Sequence, residues 1–106
     1  MNDNNKNKQN QLNIELTNEM AEGIYSNLAI ITHSHSEFII DFIKVMPGLP
    51  KAKVKSRIIM TPQHAKRLFN ALKGNLKKFE SLYGEINETG GGPIPPFTLG
   101  GPAAEA

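Results

Sequence analysis

The sequence predicts an α+β fold: an antiparallel β-meander of three to four strands followed by one long C-terminal helix packed on one face. Three observations predict it. The apolar residues recur with period 2 as far as Met60 and with period 3.6 after Thr61. A single helical stretch follows the strands, so no crossover helix exists to join parallel ones. Both ends are polar or low in complexity. This divides the chain into an N-terminal disordered arm (1–11), one α+β domain (12–86) and a Gly/Pro-rich tail (87–106).

The elements are justified in order. Met1 to Gln11, "MNDNNKNKQNQ", is almost wholly Asn, Lys, Gln and Asp. It cannot bury enough apolar area to offset the entropy of ordering it. "LNIEL" then alternates Leu12, Ile14 and Leu16 with polar residues, which predicts a half-buried strand. "GIYSNLAIITHS" and "SEFIIDFIKV" are rich in β-branched and aromatic residues and predict two more. In the second, Phe38, Ile40 and Phe42 share one face, and Glu37, Ile39, Asp41 and Ile43 share the other. Apolar residues on both faces predict that Ile39, Ile43 and Val45 are covered by another subunit or by the N-terminal segment.

"PGLPKAK" reads as a loop, because two prolines and a glycine interrupt pairing. "KVKSRIIM" resumes the alternation, with Val54, Ser56, Ile58 and Met60 on one side and Lys53, Lys55, Arg57 and Ile59 on the other. Thr61 is a good N-cap and Pro62 suits the first helical position, where its missing N–H costs nothing. From there Ala65, Leu68, Phe69, Leu72, Leu76, Phe79 and Tyr83 form one apolar stripe, and Gly84 is a natural stop. "GGGPIPPFTLGGPAAEA", from Gly90, carries five glycines and four prolines, which block both helix and central strand.

The chain has 106 residues, so a domain of about 75 lies near the lower limit for a self-sufficient core. An oligomer interface is the expected supplement. The absence of cysteine excludes disulfides, thiolate ligands and cysteine nucleophiles, and suits a reducing compartment. The N-terminus lacks the apolar core of a secretory signal, and no apolar run nears the ~18 residues a membrane helix needs. A cytoplasmic location is expected. Net charge is only +2, but its distribution is uneven. Lys44 to Lys78 holds ten basic residues and no acid; the other two lysines and all ten acids lie outside it, so the two parts carry +10 and −8. An anionic partner, or the acidic surface of another subunit, fits that asymmetry.

The chemistry-bearing groups are few. "THSHSEFIIDF", Thr32 to Phe42, holds His33 and His35, but they fall between two β-patterned runs, and the third histidine, His64, is in the first turn of the helix. A solvated four-residue turn is the expectation, with no metal, because a site needs convergent ligands. Glu37 and Asp41 are about 13 Å apart along the strand, too far for paired-carboxylate chemistry, and solvation or pairing with lysines is expected. Serines, threonines and histidines occur without a nucleophile elbow or a phosphate loop, so no catalytic residue and no cofactor is predicted.

Lys51, Lys53, Lys55 and Arg57 alternate and would project from one strand face, as phosphate-neutralising side chains do. Lys66, Arg67, Lys73 and Lys77 add to them on the helix. That face has no aromatic residue for base stacking, so a solvated charged surface stands beside the nucleic-acid reading. "PIPPFTL" could serve as a docking peptide with Phe97 and Leu99 as anchors, or be plain tail.

From Leu12 to Ile86 the chain resembles a family of small bacterial proteins known as domain of unknown function 3467. The likeness is carried by "YSN" (Tyr25 to Asn27), "HSHSEFIIDF" (His33 to Phe42), "PG" (Pro47, Gly48), "SRIIMTPQHAKRL" (Ser56 to Leu68) and "YGEI" (Tyr83 to Ile86). The resemblance implies no activity. The order of elements is also similar to that of the SecB export chaperones, homotetramers that hold unfolded chains, and this implies an oligomeric sheet with an apolar face. The expected function is that of a non-enzymatic, homo-oligomeric interaction protein binding another polypeptide. The alternative is a nucleic-acid-binding module using residues 51–57 and the helix lysines.

Overall fold

The computed structural model describes residues 11–88. It contains a four-residue helix α1 (Asn18–Ala21), strands β1 (Leu28–His33), β2 (Phe38–Ile43) and β3 (Val54–Met60), and the long helix α2 (Pro62–Tyr83). The strands form one antiparallel sheet in the order β1-β2-β3. This is the α+β class expected, with three strands and a C-terminal helix. The arm up to residue 10 and the tail from residue 89, including "PIPPFTL", lie outside the described residues.

Local chemistry explains the boundaries. β1 and β2 meet in a tight polar turn closed by the Ser34 N–H donating to the Glu37 carbonyl at 2.9 Å. Between β2 and β3, Met46–Leu49 makes a turn with Pro47 at its second position and Gly48 at φ +82° at its third. That is the type II pattern, in which only glycine is unstrained. Thr61 caps α2 by accepting from the His64 N–H at 3.2 Å, and Pro62 occupies the first turn. Gly84, at φ +97°, ends the helix while its N–H still reaches the Glu80 carbonyl.

Two expectations are corrected. "LNIEL" is not a strand: Leu12, Ile14 and Leu16 belong to no secondary structure and are 82%, 85% and 72% exposed. Its period is that of a strand, but no edge among the described residues is paired with it, and an alternating pattern without a partner makes no ladder.

The second correction concerns α2, which buries no residue against the sheet; the extensive contacts between elements are those of β1 with β2 and β2 with β3. Thr61 is the sole residue between β3 and α2. Both faces are also ill-suited to an apolar stripe. One carries the ion pair described below at its centre, and the segment around α1 stands over part of the other. The core inside one chain is therefore small. Ile40, Ile43 and Met60 are its buried apolar members, and α2 contributes no buried residue.

Candidate interaction surfaces

The register sorts the sheet into two faces. Ile39, Asp41 and Ile43 of β2 share one with Leu28, Ile30 and Thr32 of β1 and with Arg57 and Ile59 of β3. Phe38, Ile40 and Phe42 share the other with Ala29, Ile31 and His33 and with Ser56, Ile58 and Met60.

At the centre of the first face, Asp41 is cross-strand partner to Arg57. The guanidinium donates through Nε to Oδ1 at 2.6 Å and through a terminal nitrogen to Oδ2 at 2.7 Å, a bidentate fork. Asp41 is fully buried, while the Arg57 side chain keeps 30% of its surface in water. The Arg57 hydrogen bonds hold the Asp41 carboxyl below its ordinary 3.8, burial opposes them, and the guanidinium charge adds to the lowering. The same pairing raises Arg57. Sequence reasoning assigned Asp41 to solvent or a lysine and Arg57 to an outside anion. Their partnership was readable in one signal, an acid and a base in the same phase of adjacent strands, but only once the register was known.

The residues of the family likeness gain roles here as well. The Ser26 hydroxyl lies 3.0 Å from both the Leu28 and the Ile43 carbonyl oxygens and shares its proton between them. The Asn27 side chain donates to the Val45 carbonyl at 2.9 Å and accepts the Val45 N–H at 2.7 Å, extending the β1–β2 ladder with an amide in place of backbone. Tyr25 lies under the Lys44 ammonium, 5.8 Å from the ring centre. Together they tie the entry of β1 to the exit of β2.

The predicted basic row does not assemble. β3 begins at Val54, so Lys51 and Lys53 lie in the preceding loop, exposed. A bulge sets Phe42 and Ile43 opposite Ser56 and Val54, leaving exposed Lys55 as the extra residue, and Arg57 turns to Asp41. Lys66, Arg67, Lys73 and Lys77 are exposed on α2, which begins at the far end of β3, so the two groups of cations are about 20 Å of strand apart. Among the described residues, no carboxylate is within ion-pair distance of Lys51, Lys53 or Lys55. Of the predicted interface residues, Ile43 is already buried within the chain, and Ile39 and Val45 are half-buried. His33 ends β1 and stacks on Phe38, with ring centres 5.2 Å apart. His35 is in the turn and His64 on α2.

The apolar stripe assigned to the core is exposed. Along α2, Phe69, Leu72, Leu76, Phe79 and Tyr83 are all exposed, Leu72 at 56%. Beyond Gly84 the chain turns back so that the Ile86 N–H reaches the Glu80 carboxylate at 3.0 Å. Ile86 then joins Leu72, Leu76 and Phe79 in lining an open groove of about 660 Å³. A second groove, about 420 Å³, lies on the other sheet face between the α1 region (Met20, Ile24) and Phe42 and Ile58. No helix among the described residues is long and apolar enough to cross a membrane.

No curated protein and no solved structure gives a significant match to this chain. One family profile does, over residues 1–88. The chain belongs to the family described as "Protein of unknown function (DUF3467)".

Proposed function

We propose that this protein works by association rather than catalysis: a homo-oligomer, built by apposing the apolar stripes of α2 from two copies, that binds another polypeptide. The observation that carries this reading is the uncovered stripe. A helix of 22 residues, about 33 Å long, has its leucines and phenylalanines in water while the core of the single chain is only a few residues deep. The charges suit an antiparallel pairing of copies. The start of α2 carries Lys66 and Arg67 and its exit carries Glu85 and Glu88, which an antiparallel pair sets opposite one another, while Lys73, Lys77 and Lys78 leave the rest of the helix positive beside the single acid Glu80.

The test is light scattering on the full chain at micromolar concentration, with the double variant Leu72→Asp, Leu76→Asp beside it. Neither side chain supports the sheet, so the variant keeps its strands. The expected result is an assembly of at least two copies that falls to one copy in the variant, with parallel loss of binding to an unfolded polypeptide. A wild-type chain that stays monomeric at about 100 μM, where interfaces of this class form, refutes the reading.

The second reading, nucleic-acid binding, draws on one observation: Lys51, Lys53 and Lys55 are exposed with no carboxylate beside them among the described residues. The separation of the two cation groups and the engagement of Arg57 reduce it to a weak, salt-sensitive contact.

A further inference from the structure

Among the described residues there is a strand-patterned segment that pairs with nothing and a sheet edge without a guard. Leu12–Leu16 alternates like a strand yet pairs with nothing, its three apolar side chains in water. At one margin of the sheet, β1 reads Leu-Ala-Ile-Ile-Thr-His, with no charged residue and no proline, and its pairing with β2 runs without a bulge. Sheet margins left in that condition recruit another strand. The opposite margin differs. β3 carries Lys55 and Arg57, is bulged near its start, and follows a loop holding Pro50 and Lys53, the devices that discourage strand addition.

From these observations we infer that Leu12–Leu16 of a second copy adds to the outer edge of β1, and that the exchange is reciprocal. The match of faces supports this partner. Ile31, 61% exposed on the face shared with Ala29, would lie beside Leu12, Ile14 and Leu16, leaving Asn13 and Glu15 on the face shared with Thr32. The route of the chain argues against pairing within one copy. Upstream of β1 the α1 region crosses toward β3, where Glu19, Met20 and Ile24 share a groove with Ser56 and Ile58. Within one copy Leu12–Leu16 is not paired with β1. A strand and an edge that fit each other but are not paired in one chain are satisfied by two.

The inference rests on the homo-oligomeric reading but uses a different surface, so the two can fail separately. The test is amide hydrogen exchange on the full chain, at concentrations below and above those at which light scattering shows assembly, with Asn13→Pro as the variant. Proline removes one N–H from a segment that supports nothing inside the single chain, so folding of the sheet is retained. The expected result is that amides of Leu12–Leu16 and β1 gain about tenfold or more in protection on assembly, and that Asn13→Pro removes the gain at both places. Assembly in which Leu12–Leu16 exchanges freely overturns strand exchange and leaves the oligomer standing. Protection at β3 in place of β1, or protection unchanged by dilution, overturns it too. A chain that never assembles overturns both readings.

Discussion

Replacing Asp41 by alanine removes the anion from the centre of a sheet face and leaves the Arg57 guanidinium facing apolar neighbours. The structure sets the size of the effect. Two charge-assisted hydrogen bonds of 2.6 and 2.7 Å are lost from a carboxylate with no solvent-exposed surface. Deleting one partner of a fully buried pair costs about 3–5 kcal/mol, because the other charge is stranded. Here the Arg57 side chain keeps 30% of its surface in water and can turn outward, which brings the expected loss to about 2 kcal/mol. For a domain of this size that is a fall of roughly 10 °C in melting temperature.

Urea titration followed by circular dichroism measures the loss, and acidification supplies a second signature. The folded Asp41 carboxyl titrates below its ordinary value, so its contribution is complete above the unfolded value, about 3.9, and disappears as pH falls through the folded one. The stability gap between wild type and the near-isosteric Asp41→Asn should therefore hold from neutrality to about pH 5 and close on further acidification. An Asp41→Ala protein within about 0.5 kcal/mol of wild type, the range of ordinary surface changes, would refute the reasoning, as would a gap that widens in acid.

The remaining predictions concern the basic residues and the histidines. Changing Lys53 and Lys55 to Gln should leave the fold intact and abolish whatever low-salt affinity for DNA or RNA the chain has, with a salt slope reduced by about one per lysine; nanomolar, salt-resistant binding would promote the nucleic-acid reading. Removing His33 and His35 together should cost under about 1 kcal/mol, the worth of the His33 stack on Phe38. A chelator should leave the melting temperature unchanged, and a drop of several degrees restored by zinc would show a metal site.

Local signals predicted local structure well. The helix over 62–83 was legible in its N-cap Thr61, in Pro62, in the 3.6 period and in Gly84, because each acts within one turn of its own position. The turn holding His33–Ser36 and the loop from Pro47 were legible for the same reason. Much of the candidate surface was named correctly as residues but given the wrong neighbours. The α2 stripe was read as core because period alone cannot say whether a facing layer is in the same chain. Arg57 was read as a free cation because its partner lies 16 residues earlier and meets it only through the β2–β3 register.

By itself the sequence determined the class of the fold, the faces of β2 and of β3 from Ser56 onward, the long amphipathic helix and the concentration of positive charge between Lys44 and Lys78. All of these follow from the spacing of residue types, and spacing survives without knowledge of contacts. Tertiary structure alone decided the rest. The apolar stripe of α2 is left in water and not buried on the sheet. A bulge at Phe42 and Ile43 breaks the row of lysines. Leu12–Leu16 pairs with no strand among the described residues. Each is a matter of where the backbone can reach in three dimensions, which fixes what a side chain meets and which apolar surfaces remain for another chain to cover.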